Sequence, residues 1–451
     1  MLKKFTAFII IAILAGSFAA CNVNVPETVE FSAASAASAD NATKDETNTE
    51  AETEAETEAD STASEETTTL RTEAPSSDNT SLQTESVITA ANTTSNGMID
   101  AAELFTKRDL TQTADLSDAK YYTVSDGQNI SITAEGVYVI SGSASNVTIT
   151  VEAGDSDKVQ IVLDGVSITN SSSPCIYVKN ADKVFVTTTS SENNLSITGS
   201  FTADGTTNTD AVIFSKDDLV LNGLGTLNIN STDNGVSCKD DLKVTGGTIV
   251  INCTSDGLEA NDSIAIADGN ITIKTSKDAV HSGNDDDNSL GYVYICGGNL
   301  SLTAGDDGIH ATTVAQIDGG TMNITAAEGI EGTYIQINSG TINISSSDDG
   351  INGANKSDAY NVTIEINGGD ITISMGQGDT DAIDSNGNLY IKGGTLNITA
   401  QSPFDYDGQA EYTGGTMIVN GTQTTTITNQ MMGGGMGGMQ NGGEMQGFRG
   451  R

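Results

Sequence analysis

The chain has no tryptophan, four prolines and two histidines in 451 residues, and only 19 lysines and arginines stand against 61 acidic residues. A formal charge of −42 at pH 7 argues against nucleic acid as a partner, because phosphate binding needs clustered bases. Missing tryptophan weakens the usual argument for a platform that stacks on sugars. Five cysteines are present, and no Cys-x-x-Cys pair occurs among them, which argues against a thiolate metal site or a redox motif. Cys238 and Cys253 occupy repeat positions otherwise held by small residues, so they read as small buried thiols. Helix formers are sparse, while Gly, Asn, Thr, Ser, Ile and Asp dominate, a composition of strands and turns.

The apolar run Phe5 to Leu14 follows Lys3 and Lys4 and is too short to span a bilayer. Small residues then precede Cys21, so residues 1–21 read as a lipoprotein-type signal peptide with Cys21 as the lipidated residue. Cleavage after an alanine without lipidation is the alternative. The expected location is the cell surface, with the lipid anchor as the only membrane contact. Residues 22–97, including "ETNTEAETEAETEAD", lack the apolar content for a core and read as a disordered acidic stalk. Residues 430–451 form a Met/Gly-rich tail.

Residues 98–429 repeat. Glycines at 225, 247, 269, 298, 320, 340, 369, 394 and 415 anchor units of about 20–22 residues, with polar insertions in the longer gaps. Each unit holds three short alternating pieces: one before the glycines ("LKV", "YVYI"), one after them ("TIVI", "TINI"), and one carrying acid, glycine and an aliphatic residue. Period-two alternation makes each piece a strand with one buried face. Three strands and three turns per unit predict an all-β solenoid, a parallel β-helix with aliphatic ladders inside.

The third piece carries Asp256, Asp278, Asp307, Glu328, Asp349 and Asp381, and three residues later Glu259, His281, His310, Glu331, Asn352 and Asp384. Asp306 and Asp348 form doublets with their neighbours. Stacked carboxylates about 4.8 Å apart repel by about 3 kcal/mol at an effective dielectric of 20. Good turn chemistry accounts for Asp-Gly alone, but less well for the doublets and the partner three residues on. Calcium, which takes six to eight oxygens in loose geometry, fits them. The expected calcium ligands are Asp278, Asp306, Asp307, Glu328, Asp348, Asp349, Asn352, Asp381 and Asp384, with Asp379 beside the last pair. His281 and His310 read first as a hydrogen-bonded surface ladder and second as a metal or catalytic pair.

The phrases "AEGVYVISGSASNVTITVEAGDSDKVQIVLDGVSITNSSSPCIYVKNADKVFV", "DAVIFSKDDLVLNGLGTLNIN" and "CKDDLKVTGGTIVINCTSDGLEANDSI" resemble the clostridial family of carbohydrate-binding, right-handed parallel β-helix surface proteins. The resemblance covers about Tyr122 to Gly421. It implies binding of cellulose or polygalacturonate, and a fold similar to that of calcium-dependent pectate lyases. In the lyases' calcium pattern the matching positions are Asp348, Asp349 and Asn352, or Asp306, Asp307 and His310; the third is not an acid in either set. Lys277 and Lys239 are the candidates for the base a lyase needs.

The expected function is calcium-assisted, non-catalytic binding of plant cell-wall polysaccharide. A pectate-lyase-like enzyme and a structural adhesin are the alternatives. Tyr294, Gln316, Gln336, Glu365 and Tyr390 point outward from the first strand, and Tyr294, Gln336, Glu365 and Tyr390 are the expected sugar contacts. An ordinary polar sheet face is the plainer reading of each.

Overall fold

The computed structural model describes residues 98–102, 104–284, 286–377 and 380–430. The signal peptide with Cys21, the acidic stalk, Asp379 and all of the tail except Gln430 lie outside the described residues. Within them the protein is all-β, without a helix, and forms one mostly parallel sheet of 34 strands. The pairing joins strands one repeat apart and is consistent with a solenoid.

Three ladders follow the three pieces. In the first, Leu242 pairs with Ile264, Ile264 with Val293, Val293 with Ala315 and Ala315 with Ile335. In the second, Ile249 pairs with Ile271, then Leu300, Met322, Ile342, Ile371 and Leu396. In the third, Leu258, Val280, Ile309, Ile330, Ile351 and Ile383 stack in order. All of these side chains belong to one buried core. The alternation that predicts strands therefore also fixes register: a slip of one residue would turn every aliphatic side chain outward.

The two kinds of glycine are distinct. Gly247, Gly320 and their equivalents between the first and second strands hold positive φ, +81° and +90° at these two, as a turn there requires. The glycine of the acid-glycine-aliphatic phrase does not. Gly308 lacks positive φ, and a Cβ on it would lie 2.3 Å from Ile324 Cγ2 and 2.6 Å from the Gly329 carbonyl. Its smallness, not its flexibility, admits the ladder of the next repeat, which corrects the expectation of a turn-forming glycine.

Among the described residues the last strands are the antiparallel pair Thr416–Val419 and Thr422–Thr424, joined through Asn420 and Gly421, both at positive φ. This hairpin occupies the last strand edge of the second ladder. Along the first ladder a second cover appears. Residues 98–102 and 104–112 lie as a strap over its outward side. Met98 N donates to Gln336 Oε1 (3.0 Å) and Ile99 N to Gln316 Oε1 (2.7 Å). The Phe105 ring meets Tyr294 at 6.4 Å, and Arg108 sits 4.5 Å over Phe185. Gln112 bridges Thr245 O and Gly223 N, both at 2.9 Å. Asp109, fully buried, enters between Lys183 (3.7 Å) and Lys243 (4.0 Å). The first-ladder strands from Lys183–Thr188 to Tyr292–Ile295 are consequently buried on both faces for most of their length.

Candidate functional site

The strap divides the expected sugar contacts. Tyr294, Gln316, Gln336, Glu365 and Tyr390 do form one column across successive repeats. Tyr294 is 1% and Gln336 3% exposed, however, so neither lies on an open face. The Tyr294 hydroxyl donates to Asp318 Oδ2 (3.0 Å) beneath the strap. The expectation of an open surface at these two is corrected; its cause is a segment that carries no repeat signal of its own.

Beyond Met98 the column continues through half-buried Glu365 and Tyr390. Glu365 accepts from the Tyr334 hydroxyl (2.6 Å) and from Asn367 Nδ2 (2.8 Å), and pairs with Lys392 at 2.9 Å. Burial would raise the Glu365 carboxyl, but these donors outweigh it and hold it below the ordinary value. Lys392 stands 5.5 Å over the Tyr390 ring, and Tyr334 meets Tyr360 edge-on at 6.5 Å. The result is a patch of three tyrosines, a fixed carboxylate, an amide and a cation. Tyr334, Tyr360 and Lys392 were not legible as members, because Tyr360 arrives on an insertion and contact across repeats depends on loop placement.

The third strands build a second constellation. Their short length, as in Val280–Ser282 and Ile351–Gly353, leaves one outward side chain per repeat. The register stacks Glu259, His281, His310, Glu331, Asn352 and Asp384. The acids three positions earlier also stack, and three of them serve the next: Asp256 Oδ1 accepts the Asp278 amide (3.1 Å), Asp278 Oδ1 the Asp307 amide (2.9 Å) and Asp349 Oδ1 the Asp381 amide (3.1 Å). Half of the recurring acid phrase is therefore structural, a carboxylate ladder closing backbone donors between repeats.

The other carboxylate oxygens face the histidines. His281 Nδ1 lies 3.2 Å from Asp256 Oδ2 and 3.5 Å from Asp278 Oδ2. His310 Nδ1 lies 2.8 Å from Asp307 Oδ2, 3.2 Å from Glu331 Oε2 and 3.7 Å from Asp278 Oδ2. The two rings stack with centroids 4.7 Å apart. Burial and the charges of Asp278 and Glu331 push the Asp307 carboxyl up to about 9. His281 rises despite burial because Asp256 and Asp278 outweigh it, whereas burial and the neighbouring His281 charge lower His310.

Among the described residues, ligand atoms lie within 4.8 Å of one another in three groups: Asp278, His281 and His310; Asp307, His310 and Glu331; and Asp278, Asp306 and Asp307. The expected triple Asp278, Asp306 and Asp307 is thus brought together. Glu328, Asp348, Asp349, Asp381 and Asp384 fall outside such a group. Asn352 donates to Glu328 Oε2 (2.8 Å) and Glu331 Oε1 (3.3 Å), while its buried Oδ1 has no hydrogen-bond partner. Lys356, from the same insertion as Tyr360, pairs with Glu331 Oε1 at 2.8 Å. Lys239 pairs with Glu259 at 3.5 Å. The described cysteines form no disulfide; Cys238 is buried and Cys253 half-buried.

A family model described as "Carbohydrate-binding domain-containing protein" matches residues 126–379 and 326–435. A relative of that description from Acetivibrio thermocellus is 37% identical over 103 residues, 22% of this chain and 35% of the relative. The match therefore spans about a third of that protein's length. A solved structure described as the polysaccharide lyase-like protein from C. thermocellum, gadolinium derivative, is 23% identical with a TM-score of 0.41, over 65% of this chain and 98% of that one. The family model takes in both the strand ladders and the acid-histidine column, well over half of the sequence, and the chain belongs to the family of carbohydrate-binding domain-containing proteins.

Proposed function

We propose that the domain is a right-handed parallel β-helix that holds plant cell-wall polysaccharide at the cell surface without cleaving it, assisted by calcium. The family supports carbohydrate binding. The observation that carries the finer reading is the patch where the described strap stops: Tyr334, Tyr360, Glu365, Tyr390 and Lys392 combine rings for sugar faces with fixed donors and acceptors for hydroxyls. Alongside runs a ladder of outward polar side chains, Ser301, Asn323, Asn343, Thr372 and Asn397. A flat array of this kind suits an extended polymer.

Calcium enters on the chemistry of the donors. Asp278, Asp306 and Asp307 offer oxygen only, and the orphaned Asn352 Oδ1 beside Glu328 is a further hard acceptor. A bound ion would supply positive charge between carboxylates and could bridge this acidic chain to an acidic pectin. A lyase would need an unprotonated base beside the ion. Lys356 moves the other way: burial works against its charge, but Glu331 and Asp307 outweigh burial and raise its pKa.

Retention of the chelator-stripped protein on cellulose and on polygalacturonate, with and without added calcium, tests the reading. Retention on at least one polymer, and loss of the pectin-bound fraction on chelation, is expected. Steady release of unsaturated uronate would establish the enzyme instead, and retention on neither polymer would leave the adhesin.

A further inference from the structure

We propose that Asp278, His281 and His310 form a site for a borderline divalent transition metal of the zinc class, distinct in its nitrogen donors from the all-oxygen group Asp278, Asp306 and Asp307 with which it shares Asp278. The chain has two histidines, and the register sets them directly against each other on neighbouring repeats. Both Nδ1 atoms converge on the same oxygen, Asp278 Oδ2, at 3.5 and 3.7 Å. Those separations are too long for hydrogen bonds. They are close to the edge of about 3.4 Å of a tetrahedron whose metal–ligand bonds are about 2.0–2.1 Å. Glu331 Oε2 borders the group at 3.2 Å from His310 Nδ1, but it clusters with Asp307 and His310 rather than with Asp278 and His281.

The carboxylates around the rings are already oriented. Asp256 Oδ1 is tied by the Asp278 amide, Asp278 Oδ1 by the Asp307 amide, and Glu331 Oε1 by Lys356. In all three, the oxygen left over is the one that faces an imidazole. For Asp278 and Glu331 this is outer-shell support of the sort that orients a carboxylate before a metal arrives, whereas Asp256 Oδ2 holds His281 Nδ1 itself at 3.2 Å and has to give up that nitrogen to the metal. His310 Nδ1 faces oxygens of Asp307, Glu331 and Asp278, and one N–H can serve only one of them. A cation bound to both nitrogens would serve Asp278 Oδ2 and would take His310 Nδ1 from Asp307 Oδ2, its hydrogen-bond partner at 2.8 Å. Calcium does not suit this place, since it takes oxygen ligands; imidazole nitrogen with carboxylate suits zinc, cobalt or nickel.

The assignment does not rest on the calcium reading, and the two are separable. The chelator-stripped full chain is titrated with Zn²⁺ and with Ca²⁺ by calorimetry, and loaded with Co²⁺ for visible absorption. Binding of one Zn²⁺ equivalent and a tetrahedral Co²⁺ spectrum that excess Ca²⁺ does not erase are expected. His281→Gln/His310→Gln should weaken Zn²⁺ by about tenfold or more, with its melting transition confirming the fold. Asp306→Asn should leave Zn²⁺ binding as it was. Equal Zn²⁺ affinity in the wild type and the double variant overturns the proposal. So does a Co²⁺ spectrum that Ca²⁺ abolishes. Should the double variant not fold, His281→Gln alone and the wild-type Co²⁺ spectrum decide the matter.

Discussion

At the residue scale the protein repeatedly places acids where burial and neighbours disfavour their charge. Asp240 is the clearest case away from the histidines. Burial, then the charges of Asp218 and Asp262, push its carboxyl up to about 7. Folding therefore binds a proton that the unfolded chain, with an aspartate near 3.9, releases. The sign follows: this residue costs nothing below about pH 4, and stability falls as pH rises from there toward 7. Asp240→Asn should flatten that part of the curve of melting temperature against pH, and an unchanged slope would put the penalty elsewhere. Tyr390 gives a functional counterpart. Tyr390→Ala removes a ring from the patch beyond the described strap, whereas Tyr294→Phe alters a hydroxyl buried against Asp318. Polysaccharide retention should drop severalfold in the first and stay level in the second.

At the element scale the strand pattern was legible from sequence because one physical rule, burial of alternate side chains, repeats in every unit. Ile249, Ile271 and Leu300 stand where alternation puts them. What alternation cannot express is contact between elements without a period. The strap has none, so Tyr294 and Gln336 looked exposed; Lys356 and Tyr360 ride on an insertion, so their neighbours were hidden. The acid column was readable as a column, but its amide-accepting role needed the backbone. Gly308 is likewise explained only by the packing of neighbouring repeats, since its reason is a missing Cβ and not a turn. That distinction predicts different costs. Gly308→Ala drives a methyl into Ile324 and the Gly329 carbonyl and should cost about 2–3 kcal/mol. Gly421→Ala has open space and only its positive φ to bear, so about 1 kcal/mol is expected. Denaturant unfolding of both variants compares them directly; equal losses would mean that backbone strain, not crowding, governs Gly308.

At the scale of the whole molecule, a sheet of parallel ladders needs its open surfaces closed, and this chain closes them with non-repeating pieces. Among the described residues the hairpin at Thr416–Val419 and Thr422–Thr424 comes last, and the strap seals the outward side of the first ladder. The strap's anchor is electrostatic. Asp109 brings a buried carboxylate to Lys183 and Lys243, whose side chains are about a tenth exposed. Burial opposes the Lys183 charge, yet Asp218 and Asp109 outweigh it and raise the ammonium's pKa. Removing one partner of such a buried set leaves charge uncompensated, at a typical cost of about 3 kcal/mol. Asp109→Ala should therefore lower unfolding stability by about that amount and speed proteolysis within residues 98–112. Because Lys183 keeps Asp218 at 3.1 Å, the ladders themselves should stay folded. If polysaccharide docks at Glu365 and Tyr390, beyond Met98, retention on polymer should survive this substitution while the strap becomes protease-sensitive. Loss of retention in a folded Asp109→Ala variant would instead place the sugar on, or against, the strap.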